Sequence, residues 1–181
     1  MNNTSFELFF AILSVATLIG TVVILIARLL YKSNSWAATT IDSFSVLARP
    51  LSAAIATTCL VGSLYFSEIV NYIPCRLCWY QRIMMYPLAI ILIIAAIRRD
   101  GKVGFYSAPL ATIGASISTY HWLLERYPNL DSGACDVTVP CEFVWFEKFG
   151  FVTLPFMAFT GFFAILVFTT LPNPTNTLEY Q

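Results

Sequence analysis

Long apolar stretches separated by short polar segments make up most of the 181-residue chain. A helix needs about 20 apolar residues to cross the hydrocarbon core of a bilayer. Five stretches come near that length, and we predict membrane-spanning helices over residues 8–27, 50–67, 79–97, 103–124 and 149–171. The predicted fold class is therefore an all-α membrane protein.

The composition agrees with this pattern and narrows the class of protein. Hydrophobic residues make up 58% of the chain and charged residues 11%, against about 45–50% and about 25% in soluble domains. The chain has the length for one membrane bundle and leaves no room for a second globular domain. Its formal net charge is zero and no basic stripe or nucleic-acid motif occurs, so no nucleic-acid partner is expected.

The basic residues predict how the helices are oriented, because Lys and Arg near the ends of spans are retained in the cytoplasm. Two loops and their flanks are richer in them than the opposite side of the membrane. These residues are Arg28, Lys32, Arg49, Arg98, Arg99 and Lys102. The first span lacks the features of a cleaved signal peptide, so we expect it to be retained. With these basic loops in the cytoplasm, five spans put the N-terminus outside and the tail, which we expect to be disordered, in the cytoplasm.

The five cysteines form two close pairs and leave one over. Cys75 and Cys78 lie at the predicted extracytoplasmic end of the third span, and Cys135 and Cys141 lie in the loop before the fifth. Disulfides form and persist on that side of the membrane. Cys59 falls within the second span, where a buried thiol is expected to be inert.

The chemistry of the first pair depends on where the third helix begins. Pro74 is typical of a helix start, which puts Cys78 in the first turn. There its thiolate would meet unpaired N–H groups and the positive end of the helix dipole, which lower a cysteine pKa. Arg82 lies four residues on and adds a fixed positive charge on the same face. Cys78 is therefore predicted to be the more readily ionised thiol.

A Cys-x-x-Cys sequence alone also fits a structural disulfide or half of a metal site. Zinc would need a second tight pair, whereas Cys135 and Cys141 are six residues apart in a loop on the oxidising side, so no metal site is predicted. A non-enzymatic membrane scaffold or transporter subunit, whose disulfides only staple its loops, stays an alternative to a redox enzyme.

The stretch "CRLCWYQR", residues 75–82, matches the Cys-x-Leu-Cys-x-x-(Gln/Glu)-Arg signature of the DsbB family of membrane disulfide-generating enzymes. The stretches "MMYPL", "ISTYHWLLERYP", "GACDVTVPC" and "FGFVTLPFMAF" are similar to its short-loop Gram-positive branch, BdbC. The resemblance covers residues 50–171. The vitamin K epoxide reductase family also couples two cysteine pairs to a quinone, but there the loop pair precedes the Cys-x-x-Cys, so the order here favours DsbB.

The family usually has four spans, so the resemblance implies a four-helix transmembrane bundle with one additional N-terminal transmembrane helix. The implied division is an N-terminal helix and cytoplasmic loop over residues 1–49, a DsbB-like redox domain over residues 50–171 and a disordered cytoplasmic tail over residues 172–181. The implied location is the cytoplasmic (inner) membrane, crossed several times, with the redox cysteines on the extracytoplasmic side.

A family member takes electrons from an extracytoplasmic thioredoxin-fold (DsbA-like) protein and passes them to a membrane quinone, ubiquinone or menaquinone. By resemblance, the partner attacks Cys135, the released Cys141 attacks Cys75, and Cys78 leaves as a thiolate that donates to the quinone. The segment "CEFVWFEKFG" is predicted to form a short interfacial amphipathic helix that would hold Cys141 near Cys75.

Three further residues are candidates for binding the quinone. Arg82 would hydrogen-bond a quinone oxygen and stabilise charge that develops on it. His121 would help to protonate the reduced quinone, since only histidine titrates near neutral pH unperturbed; the alternative is an interfacial histidine with a local partner such as Glu125. Gln81 is a weaker candidate to which the sequence assigns no definite role.

Overall fold

A computed structural model of the protein describes residues 3–131, 133, 135 and 139–171. Its helices are α1 (Asn3–Leu29), α2 (Ser35–Leu64), α3 (Arg76–Arg98), α4 (Val103–Arg126) and α5 (Leu154–Thr169). A π-helical turn, Tyr65–Ile69, continues α2, and a 3-10 turn, Pro128–Leu130, follows α4. Within the described residues the only β-type pairing is an isolated bridge between Lys148 and Val152. The all-α prediction is confirmed.

Most of the helices are suited to crossing a membrane. Three described segments are long and apolar enough to do so by length and composition, namely Thr4–Leu29, Ser35–Ile69 and Arg76–Arg98. The helix α4 has 24 residues, and α5 is a shorter apolar helix of 16 residues. The predicted fold class, a four-helix transmembrane bundle with one additional N-terminal helix, is confirmed.

The second helix begins much earlier than predicted. It starts at Ser35, where the side chain of Asn34 caps the helix by accepting a hydrogen bond from the Trp36 N–H (3.0 Å). Pro50, the predicted first residue, lies inside the helix, as prolines of membrane helices do when neighbouring helices support the backbone. Buried residues before Pro50 recur at helical spacing and face the bundle: Ala37, Ile41, Ser45 and Ala48.

The division at residue 50 therefore does not coincide with a break in secondary structure, and the predicted tail at 172–181 lies outside the described residues. The fifth helix begins later than predicted, at Leu154. Phe149 and Gly150, at the predicted start of this span, have positive φ angles of 55° and 75°. This left-handed backbone forms a turn and cannot be part of an α-helix.

The segment at residues 141–150 contains no helix, so the predicted interfacial helix is wrong. Aromatic stacking holds this segment instead. The ring of Trp145 stacks on Tyr72 at a centroid distance of 4.7 Å, and Phe146 packs against Phe66 at 5.6 Å. These ring contacts hold the loop before α5 against the segment between α2 and α3. They thereby determine the position of Cys141 at the start of that loop segment.

The core lies among α2, α3, α4 and α5, and α1 packs against α2 and α5 from outside it. The approach of α4 to α5 is close because Gly114 has no side chain: an added Cβ atom would run into the ring of Phe162. The N-terminal end of α3 and the C-terminal end of α4 lie together under the loop, where a separate buried cluster contains Cys75, Leu77, Leu124 and Cys141.

Candidate functional site

The dithiol of Cys75 and Cys78 lies at the N-terminus of α3, and both thiols are free. Cys75 is the N-cap residue in an extended backbone conformation, so its sulfur accepts a hydrogen bond from the Cys78 N–H at 3.3 Å. The two sulfurs are 3.0 Å apart. A backbone N–H group of the first helical turn therefore points at the Cys75 sulfur. Cys75 itself is only 5% exposed to solvent.

This arrangement corrects the prediction that Cys78 is the more readily ionised thiol. A hydrogen bond from the Cys78 thiol lowers the pKa of Cys75 below its ordinary value. Burial opposes this effect, whereas His121 and the Cys78 N–H add to it. The sequence places both cysteines near the helix start, but the residue that caps the helix receives the N–H group, and that residue is Cys75.

The second pair, Cys135 and Cys141, is joined by a disulfide. Cys141 is 2% exposed and packs in the same buried cluster as Cys75, with Cys78 and Cys135 partly buried against it. The predicted proximity of Cys141 to Cys75 is confirmed, although the loop achieves it without the predicted helix. The two pairs thus adjoin at one end of the bundle.

The buried imidazole of His121 connects the two pairs. Its Nε2 atom lies 3.6 Å from the Cys75 sulfur and 3.1 Å from the Cys141 carbonyl oxygen. Its Nδ1 atom lies 3.0 Å from the side-chain nitrogen of Gln81. An amide N–H donating to Nδ1 makes Nε2 the protonated nitrogen of the neutral ring. The Nε2–H group is then directed at the place where Cys75 and Cys141 meet.

The alternative reading of His121 depended on Glu125 as its local partner. Glu125 instead accepts a hydrogen bond from the Thr153 hydroxyl at 2.6 Å, and the imidazole is 3% exposed. His121 is therefore a buried part of the cysteine cluster and not an interfacial residue.

Arg82 is anchored to the neighbouring helix. Its Nε atom donates to the Ser63 hydroxyl at 3.0 Å and one terminal nitrogen donates to the Ser63 carbonyl at 3.1 Å. The guanidinium also lies over the ring of Trp79, 5.2 Å from its centroid. These contacts hold the positive charge one helical turn from Cys78. Sequence reasoning missed Ser63, since nothing in the sequence marks a lone serine 19 residues earlier as the anchor.

Two cavities adjoin the dithiol. The larger, of about 700 Å³, lies between α1, α2, α3 and α5, and is mostly apolar with Cys78, Gln81 and Arg82 in its wall. The smaller, of about 210 Å³, is lined by Cys75, Cys78, His121 and by loop residues that include Pro140. Cys78 lines both cavities, so the dithiol lies between an apolar chamber and the loop disulfide.

The larger cavity fits an apolar redox ligand. Its volume is within the range of about 300–1,000 Å³ that is usual for small-molecule sites. A guanidinium carries five N–H donors, and Arg82 uses only part of them on Ser63, so donors remain for an oxygen of a ligand. This combination of an apolar chamber, a fixed cation and a thiol suits a quinone.

A metal is the other group to consider. The ligand atoms of Cys75, Cys78 and His121 lie within 4.8 Å of one another, which is close enough to hold an ion. A structural zinc site takes four ligands, and this cluster of described residues offers three. The Nε2 atom of His121 is moreover within hydrogen-bond distance of the Cys141 carbonyl.

The family model described as "Disulfide bond formation protein DsbB" matches residues 46–171. The chain belongs to the DsbB family. Disulfide bond formation protein C of Bacillus subtilis is 46% identical over 121 residues, which are 66% of this chain and 88% of that protein. The probable disulfide formation protein C of Halalkalibacterium halodurans is 48% identical over 117 residues, 64% of this chain and 85% of that protein.

This DsbB-family chain is thus similar to the BdbC branch, as its motifs predicted. It is a multi-pass membrane protein of a family that forms disulfide bonds. The helix α1 lies outside the matched residues. The part of the Bacillus subtilis protein outside its match is too short for a helix as long as α1, with its 27 residues. No solved structure matched the chain.

Proposed function

We propose that this membrane oxidoreductase reoxidises an extracytoplasmic thioredoxin-fold thiol oxidase and passes the electrons through its two cysteine pairs to a membrane quinone. One observation carries the proposal. Cys78 lines the apolar cavity that contains Arg82, while Cys75 lies against the loop disulfide. Of the two sulfurs of the dithiol, only that of Cys78 belongs to a residue that lines the apolar cavity, and Cys75 is confined to the side of the loop disulfide.

We propose the order of thiol steps that the family resemblance implies, starting with both pairs as disulfides. A thiolate of the partner attacks Cys135, and the bond to Cys141 breaks. The Cys141 thiolate attacks Cys75, which expels Cys78 as a thiolate. The second thiol of the partner then releases Cys135 and leaves as part of the partner's disulfide. Cys135 re-forms its bond with Cys141, and Cys75 is released.

Each cycle thus leaves the loop disulfide intact and the dithiol of Cys75 and Cys78 reduced, which is the covalent arrangement in the structure. A bound quinone would supply the two-electron, two-proton acceptor that restores the second disulfide. Arg82 would orient a ligand oxygen and stabilise the Cys78 thiolate. We assign Gln81, which also lines the cavity, mainly to the positioning of His121.

His121 would act on thiol exchange rather than on the quinone. It lines the smaller cavity beside Cys75, and its Nε2–H group is placed to stabilise the thiolate that leaves when Cys75 is displaced. The quinone-protonating role that the sequence suggested for His121 has no support from this position.

We propose the cytoplasmic membrane as the location, with the cysteines on the extracytoplasmic side. The side chain of Arg49, within α2, donates to the carbonyl of Arg99 at the C-terminal end of α3, so basic residues of α2 and of the α3–α4 turn lie together at that end of α3. Cys75 caps the opposite end of α3, a helix of 23 residues or about 34 Å. Retention of basic residues in the cytoplasm would leave the dithiol outside.

The test is thiol-dependent reduction of a quinone by the purified full-length protein, with a reduced DsbA-like protein as the electron donor. We expect quinone reduction to match the loss of donor thiols and Cys78→Ser to abolish it. Arg82→Ala should raise the KM for quinone more than it slows exchange with the donor. The matched control Arg98→Ala, at the other end of α3, should change neither.

A contrary outcome would favour one of the other classes of protein. If quinone is not consumed, or if Cys78→Ser behaves as wild type, the disulfide is structural and a scaffold is the better description. If the reduced protein binds zinc stoichiometrically through Cys75, Cys78 and His121, the cluster is a metal site.

A further inference from the structure

The helix α1 forms one wall of the large cavity, although it lies outside the family match. Side chains on one face of the helix line this wall at helical spacing, including Phe10, Leu13, Thr17, Gly20 and Ile24. From Phe10 to Ile24 this face extends about 21 Å along the helix axis. The cavity is therefore elongated and runs parallel to the membrane-spanning helices.

The two ends of this wall differ in their surroundings. The ring of Phe10 lies 3.1 Å from where a Cβ atom on Gly62 would be, next to Ser63, which anchors Arg82. Ile24 packs at the other end in an apolar cluster that includes Phe168. The cavity thus has a polar end, defined by Cys78 and Arg82, and an apolar end.

The α1 wall is apolar even where its residues carry hydroxyl groups. Ser14 donates its hydroxyl to the Ala11 carbonyl at 2.9 Å, and Thr17 donates to the Leu13 carbonyl at 2.8 Å. Both hydroxyls are therefore satisfied within the helix. Gly20 leaves a gap in the wall, since nothing lies within 4 Å of a Cβ atom added there. The wall offers open, apolar space without polar groups that need a partner.

We propose that α1 is a binding site for the apolar tail of the quinone, whose head group would lie at Cys78 and Arg82. This inference rests on the proposed function. The continuity of the apolar wall with the polar end favours one molecule that has both a redox-active ring and a long hydrocarbon chain. The same wall also accommodates an acyl chain of a membrane lipid, and the experiment separates the two occupants.

The test compares two acceptors that share a ring: a naphthoquinone with an isoprenoid tail and one without. The variant Gly20→Phe places an aromatic ring in the gap of the cavity wall. The matched control is Ile19→Phe, which places the same ring at the adjacent position, where Ile19 is 59% exposed. Both variants are studied as full-length protein. Dissociation constants come from quenching of tryptophan fluorescence, to which Trp145 in the cavity wall contributes, and turnover is measured in parallel.

We expect Gly20→Phe to weaken binding of the tailed acceptor about tenfold, which corresponds to the loss of roughly two buried methylene contacts. Its affinity for the tail-less acceptor should stay at the wild-type value, and Ile19→Phe should change neither affinity.

Equal effects on both acceptors, or no effect on either, would overturn the tail site. So would a lipid that co-purifies with wild type and is lost from Gly20→Phe while the quinone affinities are unchanged. If wild type binds and reduces neither acceptor, the proposed function itself fails. If wild type reduces both acceptors and only the tail dependence is missing, the tail site alone fails.

Discussion

The reduced protein should hold a thiolate at Cys75 at pH values where an ordinary cysteine is protonated. Three contacts place donors at this sulfur: the Cys78 thiol at 3.0 Å, the Cys78 N–H at 3.3 Å and His121 Nε2 at 3.6 Å. Together they lower the pKa of Cys75 despite its burial. The thiolate is present above this lowered pKa and is lost as the pH falls through it.

The contribution of His121 can be estimated from its contact. A hydrogen bond to a charged group contributes about 1.5–3 kcal/mol, and the distance of 3.6 Å puts this one at the lower limit. One pKa unit corresponds to about 1.4 kcal/mol. His121→Ala should therefore raise the midpoint of the Cys75 titration by about one pH unit.

The assay is ultraviolet absorbance of the thiolate in reduced protein as a function of pH, with Cys75→Ser used to assign the signal. Ser118→Ala is the matched control, because Ser118 lies one turn earlier on α4 and its hydroxyl bonds only within the helix. A Cys75 midpoint near the ordinary value of about 8.5 would refute the reasoning. So would an unchanged midpoint in His121→Ala.

The same contacts affect stability. Because the folded pKa of Cys75 is below the unfolded one, the thiolate stabilises the reduced, folded protein at pH values above the ordinary pKa. This stabilisation is lost as the pH falls through the lowered pKa.

Three other substitutions test the packing around the site by thermal unfolding in detergent. Glu7→Gln removes the carboxylate that lies 2.8 Å from the Lys148 ammonium and should lower the free energy of unfolding by about 1–3 kcal/mol. The control Glu68→Gln, at an exposed position, should lower it little, and equal losses in the two variants would contradict this. Tyr86→Phe removes a buried hydroxyl that has no hydrogen-bond partner among the described residues, so it should stabilise the protein, and a loss would show that the hydroxyl is satisfied. Gly114→Val should destabilise by about 1–3 kcal/mol, because its side chain overlaps Phe162; wild-type stability would mean that α4 and α5 separate easily.

The sequence predicts the helices of this protein well, because the length and apolarity of each run follow from the thickness of the bilayer. It predicts their ends poorly. Pro50 indicates a helix start in a soluble protein, but here supporting helices allow α2 to continue through it. The turn before α5 depends on the left-handed backbone of Phe149 and Gly150, which the apolar pattern does not contain.

The motif places the dithiol, Arg82 and Gln81 on one helix end, but their partners come from other helices. The residue that caps α3 is the one whose sulfur receives the N–H group, here Cys75, and the spacing of the motif does not fix where the helix begins. Gln81 meets His121 from α4, and Arg82 meets Ser63 from α2. Such pairings depend on how the helices pack, so a single sequence does not reveal them.

The central claim is that electrons leave the protein from Cys75 and Cys78 to a quinone. The most direct measurement is trapping of free thiols by alkylation in intact cells, with and without quinone synthesis, followed by mass analysis of each cysteine. We expect Cys75 and Cys78 to accumulate as thiols only when quinone is missing, while Cys135 and Cys141 stay largely joined. If the redox state of Cys75 and Cys78 is the same with and without quinone, the relay is contradicted.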